Sequence, residues 1–332
     1  MQQARPQPIT REPLLVQHAL PDAAALAAEA AAGLCAQPAR VAPKFFYDAL
    51  GSRLFDAITE LDEYYPTRTE AAIFSAHAPA LVAAALALTG PAPRLVDLGA
   101  GNCAKAARLF APLAPSRYVA VDISTDFLGE ALRLLQREHP RIEMVGVGLD
   151  FGARLQLPPQ AGAGPALVFY PGSSIGNFAP DDARRLLREA HAAAQGGALL
   201  IGVDLVKPRA ILEAAYDDRL GVTAAFNLNL LRHLNRLLGA DFDPPGWRHV
   251  AFYDEAAARI EMHLQARHAQ RVCWRGGERQ FAAGERIHTE NSYKWTLPVF
   301  DALLHAAGWR PVEHYLDERG WFALVLAAAA PG

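Results

Sequence analysis

Residues 94–99 read Arg94-Leu95-Val96-Asp97-Leu98-Gly99, and runs of the same kind follow as YVAVDIS at 118–124, EMVGVGLDF at 143–151, ALVFYPGSS at 166–174 and GGALLIGVDLV at 196–206. Each is a short β-rich run, and stretches of helical composition separate them. Strand, helix, strand at this rhythm predicts a parallel, doubly wound α/β sheet.

Outward from that block the pattern changes. Toward the N-terminus, Ala-rich segments at 22–34 and 70–88 have helical composition, and between them Phe55, Ile58 and Leu61 give helical spacing that Pro66 ends. Residues 1–13 read as a loose arm: two or three basic residues with no apolar run behind them do not make a secretory signal. Beyond Pro208 the sheet rhythm stops. Residues 209–239 read as mostly helical and 247–293 as antiparallel strands, with RIEMHLQARHAQRVCW at 259–274 the clearest strand stretch. A turn at Gly276-Gly277, a helix at 296–307 closed by Gly308, and two strands, RPVEHYLD and WFALVLAA, about a turn near Gly320 complete the chain. The expected organisation is one sheet domain, 69–207 with 295–332, interrupted by a second body formed from 14–68 and 208–294. A cleft between two bodies is a usual place for a small-molecule site.

Composition narrows the partner. The chain has 332 residues, with 32 Lys and Arg against 35 Asp and Glu for a net charge of −3, and no run of five or six like charges suggests a nucleic-acid or membrane surface. Cys35, Cys103 and Cys273 are too few and scattered for a disulfide framework or a zinc site, which favours the cytoplasm. No His, Cys and carboxylate cluster has metal spacing, so no metal is expected. The apolar stretch Ala78 to Leu88 contains Pro79 and is shorter than the roughly 18 to 20 residues a bilayer crossing needs.

The glycine loop carries the first chemistry. Asp97-Leu98-Gly99-Ala100-Gly101 joins a strand to a helical run from Lys105, and glycines at such a turn let a ligand approach the backbone. Gly99-x-Gly101-x-x-Ala104 also fits a dinucleotide fingerprint loosely, so an oxidoreductase reading stands beside the S-adenosylmethionine one. Asp97 before the glycines suits the ammonium end of S-adenosylmethionine. Asp122, 23 residues after Gly99, suits the ribose hydroxyls of either cofactor. Asp150 and Phe151 suit an adenine amino group and ring face, and the terminal hairpin matches the reversed strands of class I methyltransferases. These features tilt the balance toward a class I S-adenosylmethionine-dependent methyltransferase fold, an α/β Rossmann-like doubly wound sheet with a reversed C-terminal hairpin, plus an inserted α+β domain.

Further segments carry a specific likeness. Lys44-Phe45-Phe46-Tyr47-Asp48, Gly51-Ser52, Leu54-Phe55-Asp56, Glu63-Tyr64-Tyr65-Pro66-Thr67-Arg68-Thr69-Glu70, Gly172 to Phe178, Ala215-Tyr216-Asp217-Asp218, Gly221 to Ala224, Phe226-Asn227, Ile260-Glu261-Met262 and Thr289-Glu290-Asn291-Ser292 together resemble the histidine Nα-methyltransferases of ergothioneine biosynthesis, from residue 43 onward. The resemblance implies three methyl transfers from S-adenosylmethionine to the α-amino group of free L-histidine, giving hercynine, and it implies that the inserted α+β domain, 14–68 with 208–294, is the amino-acid-binding one. It implies that Asn177 and Tyr216 hold the α-carboxylate, that Glu290 and Ser292 hold the imidazole, and that Tyr47, Tyr64 and the backbone of Gly172 surround the amine, with Phe55 and Met262 as walls. For the cofactor it implies Tyr47, Gly99, Lys105, Asp122, Asp150 and Phe151, beside Asp97 and Gly101 of the loop. One departure is Asn291-Ser292-Tyr293-Lys294-Trp295, where mycobacterial-type members carry smaller and more apolar residues around the Glu and Ser. Without the resemblance, Glu290 and Ser292 also fit a solvated strand face, and Tyr216 and Asn177 ordinary hydrogen-bonding positions. An Nα-methyltransferase for another amino acid such as tryptophan is the neighbouring alternative, and a monomer is compatible with everything above.

Overall fold

The computed structural model describes residues 11–18 and 22–330, so the expected N-terminal arm falls mostly outside the described residues. In chain order the elements are β1 (Leu14–Gln17), α1 (Ala23–Cys35), β2 (Ala39–Arg40), α2 (Ala49–Thr59), α3 (Tyr65–Thr89), β3 (Arg94–Leu98), α4 (Ala104–Leu113), β4 (Arg117–Asp122), α5 (Thr125–Glu138), β5 (Glu143–Gly148), β6 (Ala166–Tyr170), α6 (Pro180–Ala194) and β7 (Ala198–Asp204). Then follow α7 (Arg209–Ala214), α8 (Val222–Leu238), β8 (Trp247–Asp254), β9 (Arg259–Ala266), β10 (Gln270–Trp274), β11 (Gly277–Phe281), β12 (Arg286–Tyr293), α9 (Leu297–Ala306), β13 (Trp309–Leu316) and β14 (Phe322–Ala329).

An eight-stranded sheet has the order β1-β5-β4-β3-β6-β7-β14-β13. β1 to β7 in that list run parallel, and β14 lies antiparallel to β7 with β13 antiparallel to β14. Strands β3, β6 and β7 are buried along their whole length, as strands covered on both faces must be. The order reverses on either side of β3, which opens a crevice at the carboxyl ends of β3, β4 and β6. A four-stranded sheet, β2-β12-β9-β8, stands beside it, and α1, α2 and α8 share its apolar core. The two sheets meet where Trp295 N donates to Asp204 O at 3.0 Å and Val206 N to Trp295 O at 3.0 Å.

Four details differ from the sequence reading. Leu14–Gln17 was expected with the amino-acid-binding body, yet it pairs in parallel with Val145–Gly148 at the edge of the large sheet. Leu15 there comes within 3.1 Å of where a Cβ on Gly129 would lie, so this apolar segment covers an otherwise open edge. Pro66 starts a helix as well as ending a pattern: it sits in the first turn of α3, where its missing N–H costs nothing. That earlier start makes α3 25 residues, long and apolar enough by length and composition to cross a bilayer; Ile73, Phe74, Leu81 and Ala85 instead bury against the large sheet. Residues 259–274 break into β9 and β10, and β10 leaves the four-stranded sheet to pair with β11.

Candidate active site

At the ends of the parallel strands, the loop after β3 turns through Gly99 at φ +70°, a conformation glycine adopts without side-chain strain. A Cβ there would approach only Phe151 Cζ, at 3.8 Å, so the Phe151 ring lies across the loop. Asp122 is held by two backbone donors, Gly101 N to Oδ2 at 2.9 Å and Ser124 N to Oδ1 at 2.8 Å. Each oxygen keeps a lone pair for a further donor. Asp150 accepts from Lys44 Nζ at 2.8 Å, and Lys44 also pairs with Glu29 at 2.7 Å, which ties α1 to the end of β5. Asp97 is buried at the end of β3: Tyr118 OH donates to its Oδ2 at 2.7 Å, and its Oδ1 has no partner among the described residues. Burial pushes this carboxyl up to about 7 against the pull of Tyr118. Lys105 Nζ donates to Glu70 Oε2 at 2.7 Å while Glu70 Oε1 accepts Gly172 N at 2.7 Å, so one buried carboxylate links α4 to the loop after β6.

Beside these strand ends lies a cleft of about 590 Å³, part of it open to solvent. Tyr47, Phe55, Tyr64, Gly172, Asn177, Tyr216, Met262, Glu290 and Ser292, the residues expected around the amino acid, all line it. Three devices bring them together. A bulge in β12 between His288 and Glu290 shifts the register, so Ile287 opposite Leu264 and Glu290 opposite Met262 both face inward. Asn291 and Tyr293 then face outward, where they meet His288 and Arg259, so these two altered residues of the 291–295 segment lie off the pocket. Gly176 lets the turn at Ser174–Asn177 sit on β12: a Cβ there would be 2.9 Å from Tyr293 O. Third, His249 Nε2 donates to Tyr216 O at 2.8 Å while its Nδ1 accepts from Asn227 at 2.8 Å, anchoring the backbone that carries Tyr216. Burial holds His249 below the usual histidine range, in keeping with that neutral ring.

One wall is aromatic. Tyr47 meets Phe55 edge to face at 5.9 Å, Phe55 meets Tyr64 at 6.2 Å, and Tyr64 meets Tyr216 at 6.4 Å. Such faces attract a cation. Burial raises the Tyr47 and Tyr64 hydroxyls well above the ordinary phenol range, with Glu290 and the neighbouring tyrosines adding to it. Both stay protonated near neutrality, so neither is a standing base. Burial also pushes the Glu290 carboxyl up to about 8, against the pull of Lys294.

Beneath the opposite wall is a charged cluster that the sequence reading did not assign. Asp204, at the end of β7, takes Lys294 and Tyr65 OH on Oδ2 at 2.8 and 2.6 Å, and Lys207 on Oδ1. Lys207 also donates to Tyr65 OH at 2.9 Å. Lys294 donates to Ser292 Oγ at 2.8 Å and Tyr216 OH at 3.1 Å. The available signal for Lys294 is its period-two spacing from Glu290 and Ser292, which puts all three on one strand face. Asp204 and Lys207 carry no such mark, because only the fold brings the end of β7 against the end of β12.

The family described as histidine-specific methyltransferases, S-adenosylmethionine-dependent, matches residues 26–329. The chain belongs to this family. A histidine N-alpha-methyltransferase of Mycolicibacterium smegmatis is 42% identical over 92% of this chain and 95% of its own length. One of Mycobacterium tuberculosis is 41% identical over 92% and 95%. Ergothioneine biosynthesis protein 1 of Neurospora crassa is 29% identical over 84% of this chain, which spans 32% of that longer protein. As a histidine-specific methyltransferase the chain uses S-adenosylmethionine, and the dinucleotide reading of the Gly99 loop is set aside by the family match.

Proposed function

We propose that this enzyme methylates the α-amino nitrogen of free L-histidine, through the mono- and dimethyl amines to hercynine, and does so in the cytoplasm. The observation that carries the reading is the charge arrangement of the cleft. Asp204 with Lys207 and Lys294 leaves one excess buried cation beneath Tyr216, while Glu290 beside it is kept largely uncharged by burial. A substrate carboxylate offsets that cation, and a ring nitrogen suits a carboxyl that can either donate or accept.

In this reading Asn177 and Tyr216 donate to the α-carboxylate, and Glu290 and Ser292 take the two imidazole nitrogens. Gly99, Gly101, Asp122, Asp150, Phe151 and Lys105 would hold S-adenosylmethionine, with Asp97 and Tyr47 at its amino-acid end. The partnerless buried Asp97 Oδ1 and the lone pairs left on Asp122 fit its ammonium and ribose hydroxyls. When bound, it supplies an electrophilic methyl group. The protein's task is then to hold a neutral amine in line, with reacting atoms roughly 3 to 3.5 Å apart. Tyr47 and Tyr64, as protonated phenols, can accept an amine N–H and let water carry the proton away. The Tyr47, Phe55 and Tyr64 faces tolerate the quaternary product without a donor cage. Tryptophan brings one ring N–H in place of two ring nitrogens and would leave one of Glu290 and Ser292 facing carbon, which sites of this kind reject strongly.

The test is mass spectrometry of products from the purified enzyme given S-adenosylmethionine with each of the twenty amino acids, and with histamine. Mono-, di- and trimethylated histidine are expected and histamine should stay unmodified. Methylation of histamine as fast as histidine would remove the carboxylate clamp, and absence of methylated histidine would sink the reading.

A further inference from the structure

Lys294 is buried, with its three N–H groups directed to Asp204 Oδ2, Ser292 Oγ and Tyr216 OH at 2.8, 2.8 and 3.1 Å. An ammonium has three donors and no acceptor, so all of its capacity is used and both hydroxyls act as acceptors toward it. The two hydroxyl oxygens lie 2.7 Å apart, a hydrogen bond that consumes one of their two hydrogens. One hydroxyl hydrogen is therefore left for the cleft, and one lone pair.

We propose that Lys294 is a positioning residue that, by donating to both hydroxyls, holds Ser292 against Tyr216, so that when Tyr216 gives its hydrogen to the substrate carboxylate Ser292 spends its own on Tyr216 and offers only a lone pair to the ring. This rests on the contacts assigned above to Tyr216 and Ser292. A carboxylate only accepts. Once it sits against Tyr216 the phenol hydrogen is spent on it, and Ser292 must give its own hydrogen to Tyr216. Ser292 Oγ, already receiving from Lys294, then has a lone pair and no hydrogen for the ligand. The ring must present an N–H at that position. At the other nitrogen no such demand exists, because Glu290 can donate as a carboxyl or accept as a carboxylate. Asp204, against Lys294, keeps it an ammonium, and burial alone would do the reverse. The cleft thus reads the two ring nitrogens differently, and it selects one tautomer of a neutral imidazole or the imidazolium.

Two thiazolylalanines test this. Thiazol-4-ylalanine and thiazol-5-ylalanine place a nitrogen that can only accept at one or the other of the two imidazole nitrogen positions, whichever of these faces Ser292. Binding of both, and of histidine, is measured by calorimetry with S-adenosylhomocysteine present. The wild-type enzyme should separate the isomers by roughly tenfold or more, the usual consequence of facing two lone pairs without a hydrogen. Lys294→Met removes the donor that holds Ser292 Oγ against Tyr216, so the serine hydroxyl can turn its hydrogen to the ring, and the separation should fall below about threefold. Tyr216→Phe leaves Ser292 with its hydrogen and should collapse the separation too, so it carries the test if Lys294→Met does not fold. Lys207→Met disturbs the same cluster without touching either hydroxyl, and should keep the separation. Equal binding of the isomers by the wild type, or a separation that survives in Lys294→Met or Tyr216→Phe, overturns the proposal. A wild-type enzyme that fails to bind histidine at all overturns the functional reading itself.

Discussion

Two carboxylates of the cleft region make opposite demands. Asp122 is oriented by two backbone N–H groups and stands ready as an acceptor, so Asp122→Ala should cost about 1.5 to 3 kcal/mol of cofactor binding, a tenfold to hundredfold loss. Calorimetry with S-adenosylhomocysteine checks it. Glu290 is buried, and its carboxyl is pushed from an ordinary 4.5 to about 8. Between those values the folded chain holds a proton that the unfolded chain has released, so this group's contribution to stability falls as pH rises from about 4.5 to 8. Urea unfolding at pH 5.5 and 8 should therefore show a steeper loss for wild type than for Glu290→Gln. Glu290→Ala should weaken histidine by about 2 to 4 kcal/mol, since a buried partner is left unpaired, and lower the histidine-to-tryptophan ratio of kcat/KM. An unchanged ratio would move ring recognition elsewhere.

At the scale of elements, α2 and β12 set the walls. Asp48 caps α2 by accepting Gly51 N at 2.7 Å, and the same carboxylate accepts Asn229 of α8 at 2.8 Å. The helix it starts carries Phe55 and Ile58 into the cleft. Asp48→Ala should lower stability by about 1 kcal/mol or somewhat more. It should raise KM for histidine more than it weakens S-adenosylhomocysteine, because α2 packs mainly on α8 and carries Phe55 and Ile58 into the cleft. An equal loss for both ligands would mean the cap supports the whole fold. In β12, Thr289 Oγ1 donates to Met262 O at 3.0 Å across the bulge. That bond holds the register on which Glu290, Ser292 and Lys294 depend.

Across the whole molecule, the cleft is walled by both sheets: Gly172, Asn177 and Asp204 come from the large one and Met262, Glu290 and Ser292 from the small one. Histidine bound there would bridge them. At about 100 times its Kd, histidine added to the S-adenosylhomocysteine complex should raise the free energy of unfolding by roughly 2.7 kcal/mol. The gain should be the same by far-UV circular dichroism and by tryptophan fluorescence, to which Trp247 and Trp274 in the small-sheet core and Trp295 and Trp309 in the large-sheet core all contribute. Different gains by the two probes would mean that the two bodies unfold separately and that the ligand does not bridge them.

Much of the architecture is written locally. The apolar runs from Leu95 onward, the glycines after β3 and the acidic residues at strand ends are contiguous features, and their periodicity states the strand and helix content without reference to distant residues. Tyr47, Tyr64, Asn177, Tyr216, Glu290 and Ser292, which line the cleft, are nameable from segments that resemble a family, each a short string carrying its own mark. What stayed hidden depends on pairing. The β12 bulge is a matter of register with β9, and one residue's slip turns every side chain to the other face. The Glu70 bridge joins residues 102 positions apart in the chain, and the Tyr65 to Asp204 bond spans 139. Lys294 gains its role only because the end of β12 is folded against the end of β7, and no local pattern records that meeting. Burial, too, belongs to the folded state: it turns Glu290 from an ordinary surface acid into a carboxyl that holds its proton.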